Sequence, residues 1–177
     1  MTNLFFGKRA IAYVGDTIDS VSTTQDLVTA HSGSLTDYSG EVTELRFGDG
    51  EADVSELNVF GAQLVDESRP SLKTAEFTLV LDSAQGISTL EWFGSSSQSE
   101  ATAGSFNRWS FEDITGDRKK KAILFVVTDG TNTAHVLMNN AYFTTTGEIT
   151  QNADGHTEIG MTAKCLINDY YVEDNIA

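Results

Sequence analysis

The sequence predicts an all-β protein: an antiparallel β-sandwich or open barrel that carries one short flanking α-helix. Three observations support this fold class. Apolar and polar residues alternate along several stretches, which is the period of a half-buried strand. Short segments rich in Asp, Asn and Gly join successive stretches, which favours antiparallel pairing. Helical periodicity is scarce along the 177 residues.

Residues 1–60 predict an arm, a loop and a hairpin. Phe5 to Val14 forms an apolar stretch typical of a strand. The small and polar segment VTAHSGSLTDYSG, from Val28 to Gly40, predicts a loop or a mobile arm. The turn signal GDGEA lies between EVTELRF and DVSELNVF, so we expect these two stretches to pair as a hairpin.

Residues 61–177 predict the sandwich core. In KTAEFTLVL, alternate residues share an apolar face, which comprises Ala75, Phe77, Leu79 and Leu81. DSAQGISTLEWFG follows and predicts the flanking helix over about 83–93, with Gly94 ending it. Nothing in the composition indicates a boundary, so the whole chain 1–177 is predicted to be a single domain.

The C-terminal third predicts two consecutive pairs of strands. AILFVV is apolar on both faces, which indicates a central strand, and the Asp-Gly turn in TDGTN leads into TAHVLM. Lys121 to Met138 therefore predicts a hairpin. Tyr142–Thr150 and Thr157–Ile167 predict the next two strands. Alternate residues of the last one should face inward, namely Ile159, Met161, Ala163, Cys165 and Ile167.

The charge balance limits the possible partners. The chain has 26 acidic and 11 basic residues, a formal net charge of -15 and a pI near 4.3. Such a surface repels phosphate backbones and anionic lipid, so we expect that the protein neither binds nucleic acid nor has a membrane partner. It is typical of a protein adapted to brine, where screening within about 3 Å at 1 M salt makes self-repulsion tolerable. A negative passage for a polyanion, or a merely acidic soluble protein, would have the same balance.

Targeting signals are lacking. The N-terminal charges follow a very short apolar run, the reverse of a signal peptide. No stretch approaches the ~18 apolar residues of a membrane span. We therefore expect a soluble protein made in the cytoplasm.

Reactive chemistry is sparse in the sequence. No Gly-rich phosphate loop, nucleophile elbow or zinc signature is present, so we expect neither a cofactor nor enzymatic activity. Cys165 alternates with apolar neighbours and is typical of a packed core thiol. The three histidines, at positions 31, 135 and 156, do not lie at metal-ligand spacing with other ligands.

Two clusters remain as candidate sites. Asp49, Glu51 and Asp53 alternate and could meet a calcium ion, but the full loop pattern is missing, so a plain hairpin turn is the favoured interpretation. The basic segment DRKKK offers candidate subunit contacts, which are Arg118, Lys119, Lys120 and Lys121. Opposite charges steer and register self-assembly, although a solvated loop would explain the same residues.

The order of these features resembles that of the tail tube (major tail) proteins of long-tailed viruses. The resemblance rests on SRPSLKTAEFTL, on the hairpin AILFVVTDGTNTAHVLMNNA and on ADGHTEIGMTAKCLI, and it extends over most of the chain from Val42 onward. The acidic composition indicates a virus of a salt-loving host, such as a haloarchaeon.

The resemblance implies a tail-tube-like fold and a structural role in the virion tail. Such proteins form hexameric rings whose subunits contribute strands to one continuous barrel around the lumen. The helix near Ser83–Phe93 would pack outside, and the N-terminal arm and the loop Ala30–Gly40 would stack the rings. The implied partners are identical subunits, other tail proteins, and viral DNA that passes without specific binding.

Two alternatives remain open. Another virion component of similar fold, such as a tail terminator or a capsid decoration protein, would share the same strand pattern. A carbohydrate-binding β-sandwich module would use aromatic platforms, for which the candidates are Trp92, Trp109 and Tyr142.

Overall fold

The computed structural model describes residues 9–49, 56–59, 62–65, 72–81, 96–99, 108–111, 120–151 and 156–175. The elements within these residues are, in chain order, β1 (Arg9–Gly15), α1 (Leu27–His31), β2 (Tyr38–Asp49), β3 (Glu56–Val59), β4 (Ala62–Val65), β5 (Leu72–Leu81), β6 (Ser96–Ser99), β7 (Arg108–Phe111), β8 (Lys121–Thr128), β9 (Thr133–Gln151), β10 (Thr157–Leu166) and β11 (Tyr170–Asp174). A 3₁₀ turn, Ile167–Asp169, joins β10 to β11.

Six strands close into an antiparallel barrel. The hydrogen-bonded order is β10-β5-β2-β1-β8-β9, and β9 pairs in turn with β10 to complete the circle. β11 is a seventh strand that pairs with the first part of β9. The all-β antiparallel fold predicted from the sequence is confirmed, and the sheet closes into a barrel. Two separate two-stranded sheets, β3-β4 and β6-β7, complete the described strands.

Strand β9 pairs with two different strands along one of its edges. Its first part, residues 134–138, pairs with β11, and its second part, residues 142–151, pairs with β10. Between them Asn140 adopts a left-handed conformation with φ 48°, and the register with β8 shifts at the same level. This is the geometry of a β-bulge, which bends a strand and re-aims its edge. The 3₁₀ turn lies opposite the bend and carries the chain from β10 to β11.

The barrel interior is filled by alternate residues of its strands, as the sequence predicted for several of them. The Phe125 ring lies edge-on to Phe77 and Phe47, with ring centroids 5.0 and 5.5 Å apart. Large side chains that are fully buried dominate this core; those with the least exposure include Tyr38, Leu79, Ile123, Met138, Phe143, Ile159 and Met161. Close packing of this kind makes the core sensitive to volume changes.

A second apolar cluster lies on the outer face of the barrel. Leu27 of α1 and Leu35 pack with Ala122 and Leu124 of β8 and with Leu137 of β9. Asp26 caps the helix, since its side chain accepts a hydrogen bond from the Thr29 N–H at 2.9 Å. The segment after β1 therefore covers the outer face of β8, the strand whose sequence AILFVV is apolar on both faces. This explains why β8 is buried on both sides.

Several elements agree with their predictions. The hairpin predicted at Lys121–Met138 is β8 and the start of β9, and Asp129 closes its turn by accepting the N–H groups of Thr131 and Asn132. Gly130 has φ 100° in that turn, a conformation that favours glycine. The predicted inward faces of β5 and β10 are buried, except at Ile167. Ile167 begins the 3₁₀ turn and is exposed, so its predicted inward position is wrong.

Two predictions for the N-terminal region are also wrong. β2 does not pair with the stretch after GDGEA, because its two edges bind β1 and β5, and β3 pairs with β4 instead. The mobile-arm interpretation of Val28–Gly40 is wrong, since His31 and Leu35 are buried and Tyr38 lies in the barrel core, whereas the loop interpretation holds for residues 32–37. β1 and β2 lie within the barrel itself, so the barrel draws on residues both before and after residue 60.

The helix predicted at 83–93 lies outside the described residues, as do residues 1–8 of the predicted arm. Among the described residues, no helix combines the length and the hydropathy that crossing a membrane requires.

Gly15 provides a test of the packing between β1 and the outer segment. A Cβ at this position would lie 2.6 Å from the Leu35 Cα and 3.1 Å from the Ser34 carbonyl oxygen, both main-chain atoms. We expect Gly15→Ala to lower the free energy of unfolding by about 1–3 kcal/mol, because the backbone must shift to admit the methyl group.

Gly33→Ala is the matched control for urea denaturation, because nothing lies within 4 Å of the Cβ it would add. Its free energy of unfolding should stay within about 0.5 kcal/mol of the wild type. Equal stability of the two variants would contradict the described packing of Leu35 on β1.

Candidate assembly surface and side-chain clusters

The large apolar side chains found exposed among the described residues lie on β9, β10 and β11 and on the 3₁₀ turn between β10 and β11. Tyr142, Leu166, Ile167 and Val172 are 38%, 43%, 44% and 46% exposed. We call this set the β10–β11 junction, because three of its members lie on β10, on the 3₁₀ turn and on β11, and the fourth lies on β9 at the bend. Exposed apolar residues are candidates for interaction surfaces where several of them share one face, as Tyr142 and Leu166 do.

The junction forms because the bend in β9 separates β10 from β11. Tyr142 points outward, since its neighbours Ala141 and Phe143 are buried in the barrel. It lies directly opposite Lys164, so Leu166 is its diagonal neighbour on the same face of the sheet. Val172 lies opposite the core residue Val136 and so on the inner face of the sheet, whereas Tyr142 and Leu166 lie on the outer face.

The strand β11 presents a sheet edge beside this apolar surface. One of its edges pairs with β9 over Tyr170–Asp174. No described strand pairs with the other edge. An exposed strand edge carries backbone N–H and C=O groups that favour pairing with another chain.

The basic segment reaches the junction through one lysine. The Lys120 ammonium lies 5.2 Å from the centroid of the Tyr142 ring, a cation–π distance. Arg118 and Lys119, two of the predicted subunit contacts, lie outside the described residues. Lys120 is exposed, so its charge stands at the margin of the apolar surface.

Lys121 is used within the chain. Its ammonium contacts Asp16 at 2.7 Å and Asp37 at 2.6 Å. These contacts tie β8 to the residue that follows β1 and to the residue that precedes β2. Burial lowers the pKa of the Lys121 ammonium, but hydrogen bonds to Asp16 and Asp37 outweigh that effect, and the pKa is raised above its ordinary value. Lys121 therefore stabilises the subunit itself.

The candidate calcium residues are only partly described. Asp49 ends β2 and pairs with Lys73 of β5 across the sheet. Glu51 and Asp53 lie outside the described residues. Asp49, whose carboxylate the structure describes, is thus paired with the Lys73 ammonium of the same chain.

A different cluster brings together three residues that are distant in sequence. His135 on β9 and Glu173 on β11 are direct cross-strand partners, and Nδ1 and Oε1 are 2.6 Å apart. Asp26, the cap of α1, completes a group whose potential ligand atoms lie within 4.8 Å of one another. A hydrogen bond from the Thr29 side chain, and after it one from the Thr29 main-chain N–H, lowers the pKa of Asp26 below its ordinary value. Sequence spacing alone does not show this group, because it depends on the register of β11 with β9.

Cys165 is buried in the barrel, as predicted. Burial, with a smaller contribution from Asp169, raises the pKa of its thiol to about 12. The thiolate that nucleophilic chemistry requires is therefore suppressed at neutral pH. Of the predicted sugar platforms, Tyr142 lies beneath Lys120, and the side chains of Trp92 and Trp109 lie outside the described residues.

A scan against models of protein families found no match, and a search of curated proteins found none either.

Lys121 and Lys120 differ sharply in their surroundings, which allows a matched test. We expect Lys121→Met to lower the free energy of unfolding by about 1–3 kcal/mol, because it leaves Asp37 without its ammonium partner. Lys120→Met should cost under about 1 kcal/mol, since it removes one exposed cation–π contact. Urea denaturation of both variants checks the difference. Equal losses would contradict the assignment of Lys121 to the subunit's own stability.

Proposed function

We propose that this protein is a tail tube subunit of a long-tailed virus, which assembles with identical copies into stacked rings around a channel for DNA. The observations that carry the proposal are the edge of β11 that no described strand pairs with and the exposed apolar residues of the β10–β11 junction. The resemblance of the sequence features, in their order along the chain, to those of tail tube proteins supports the same role.

The junction suits contact with another copy of this chain. Pairing the free edge of β11 with a neighbour's strand would satisfy its backbone groups and cover Val172 and Ile167. A heterologous contact of this kind generates a ring when the rotation between copies closes. Lys120 lies beside the contact, and the chain is strongly acidic, so a neighbour offers the complementary charge.

The net charge of -15 suits passage of DNA without adhesion. Carboxylates along a channel repel phosphates, and in molar salt this repulsion acts only near contact, within about 3 Å. A passing polyanion would thus meet no basic surface to hold it. The mechanism is passive, since geometry and electrostatics replace any bond making.

Assembly in brine tests this function. In about 1 M KCl, where the Debye length is about 3 Å, purified wild-type protein should form rings or tubes visible by negative-stain microscopy. Leu166→Glu combined with Ile167→Glu should leave a folded monomer, because charges at the junction oppose burial. Sedimentation velocity measures the assembled fraction, and circular dichroism verifies the strand content.

Thr131→Glu is the matched control, since it adds a carboxylate at an exposed turn away from the junction, and it should assemble as the wild type does. A wild type that stays monomeric at high concentration would overturn the proposal. So would normal tubes from the double variant. Single rings that never stack would favour a tail terminator, and a monomer retained on glycans would favour a carbohydrate-binding module.

A further inference from the structure

Three elements converge at Asp26, His135 and Glu173. Asp26 precedes α1, His135 lies on β9 and Glu173 lies on β11. One imidazole nitrogen and one oxygen from each carboxylate lie within 4.8 Å of one another. Tetrahedral ligands about 2.0–2.2 Å from one ion lie roughly 3.3–3.6 Å apart, so the three side chains would have to adjust to reach a common ion.

Main-chain groups orient both carboxylates. Glu173 Oε1 accepts the Leu27 N–H at 2.6 Å, and Asp26 Oδ1 accepts the Thr29 N–H at 2.9 Å. Each carboxylate has a second oxygen that these two bonds do not use. Hydrogen bonds that fix the direction of a ligand are a regular feature of metal sites. The arrangement is therefore held by the backbone of α1, whether or not an ion is bound.

Charge favours a divalent cation over a simple ion pair. Two carboxylates face one imidazole, so a protonated His135 balances only half of the negative charge. A divalent ion balances both carboxylates and takes a neutral imidazole as its third ligand. A nitrogen donor beside two oxygen donors suits Zn²⁺ and its first-row neighbours, whereas Ca²⁺ and Mg²⁺ prefer oxygen ligands.

We propose that Asp26, His135 and Glu173 bind one first-row divalent cation of the Zn²⁺ class, with water in the remaining position. The ion joins α1 to β9 and β11. It therefore fixes the C-terminal strand, which is otherwise paired along one edge only within the described residues. This site is structural and does not depend on whether the protein assembles into tubes.

Titration with Zn²⁺ and Co²⁺ tests the site. Protein freed of metal with a chelator should bind one Zn²⁺ per chain by isothermal titration calorimetry, and binding should raise the melting temperature. Co²⁺ should give a visible absorption band typical of a low-coordinate site. Asp26→Asn, which keeps a helix-capping side chain, and His135→Gln should each weaken Zn²⁺ binding by roughly 10–100-fold.

His156→Gln is the matched control, because His156 is exposed and lies on a different part of the chain. It should leave the affinity for Zn²⁺ and the Co²⁺ spectrum unchanged. No stoichiometric binding up to millimolar Zn²⁺ would overturn the proposal. Binding that survives both Asp26→Asn and His135→Gln, or that Mg²⁺ and Ca²⁺ reproduce, would show diffuse attraction to an acidic surface and would overturn it equally.

Discussion

The bend in β9 is the constraint on which the rest of the structure depends. A strand edge can pair with one neighbour at each level, yet β9 must both close the barrel through β10 and hold β11. The bulge at Asn140 divides the edge between them. Beside it, the buried side chain of Asn139 accepts the Ile18 N–H at 2.9 Å and donates to the Ile18 carbonyl at 2.8 Å. One amide thus ties the bend to the segment that covers the outer face.

Both candidate surfaces follow from this arrangement. Because β10 pairs with the second part of β9 and β11 with the first part, the chain crosses a 3₁₀ turn between the two strands, and apolar residues are left exposed around that turn. Because β11 pairs with residues 134–138 of β9, Glu173 lies opposite His135. The same shift in register therefore creates the apolar junction and the cluster of three potential ligands.

Local pattern predicted much of the fold. Alternation predicted the inner faces of β5 and β10, and the Asp-Gly turn predicted the β8–β9 hairpin, because these features depend on residues close in sequence. The stretch STTQDLVTA, from Ser22, is too short and Thr-rich to be a strong helix prediction. The five-residue helix α1 forms at its end because Leu27 is buried against the barrel. The GDGEA turn signal misled because β2 already has partners on both edges.

Sites formed by residues that are distant in sequence could not be predicted from local sequence patterns. Lys121 was a candidate subunit contact from its basic neighbours, and only the fold reveals its contacts with Asp16 and Asp37. Asp26 is the N-cap of α1, but nothing near it in the sequence indicates that its side chain lies close to Glu173. The continuity of β9 was also missed, because the predicted strands end at Met138 and begin again at Tyr142, whereas β9 runs from Thr133 to Gln151.

Replacing Asn139 tests the central role of the bend most directly. Asn139→Ala removes both hydrogen bonds to Ile18 and opens a small cavity, so urea denaturation should report a free energy of unfolding lower by about 2–4 kcal/mol. Native-state hydrogen exchange should show lost protection at the Ile18 amide and along β11. Asn168→Ala, at an exposed position on the 3₁₀ turn, should change neither quantity. Unchanged stability and unchanged protection of β11 in Asn139→Ala would contradict the account.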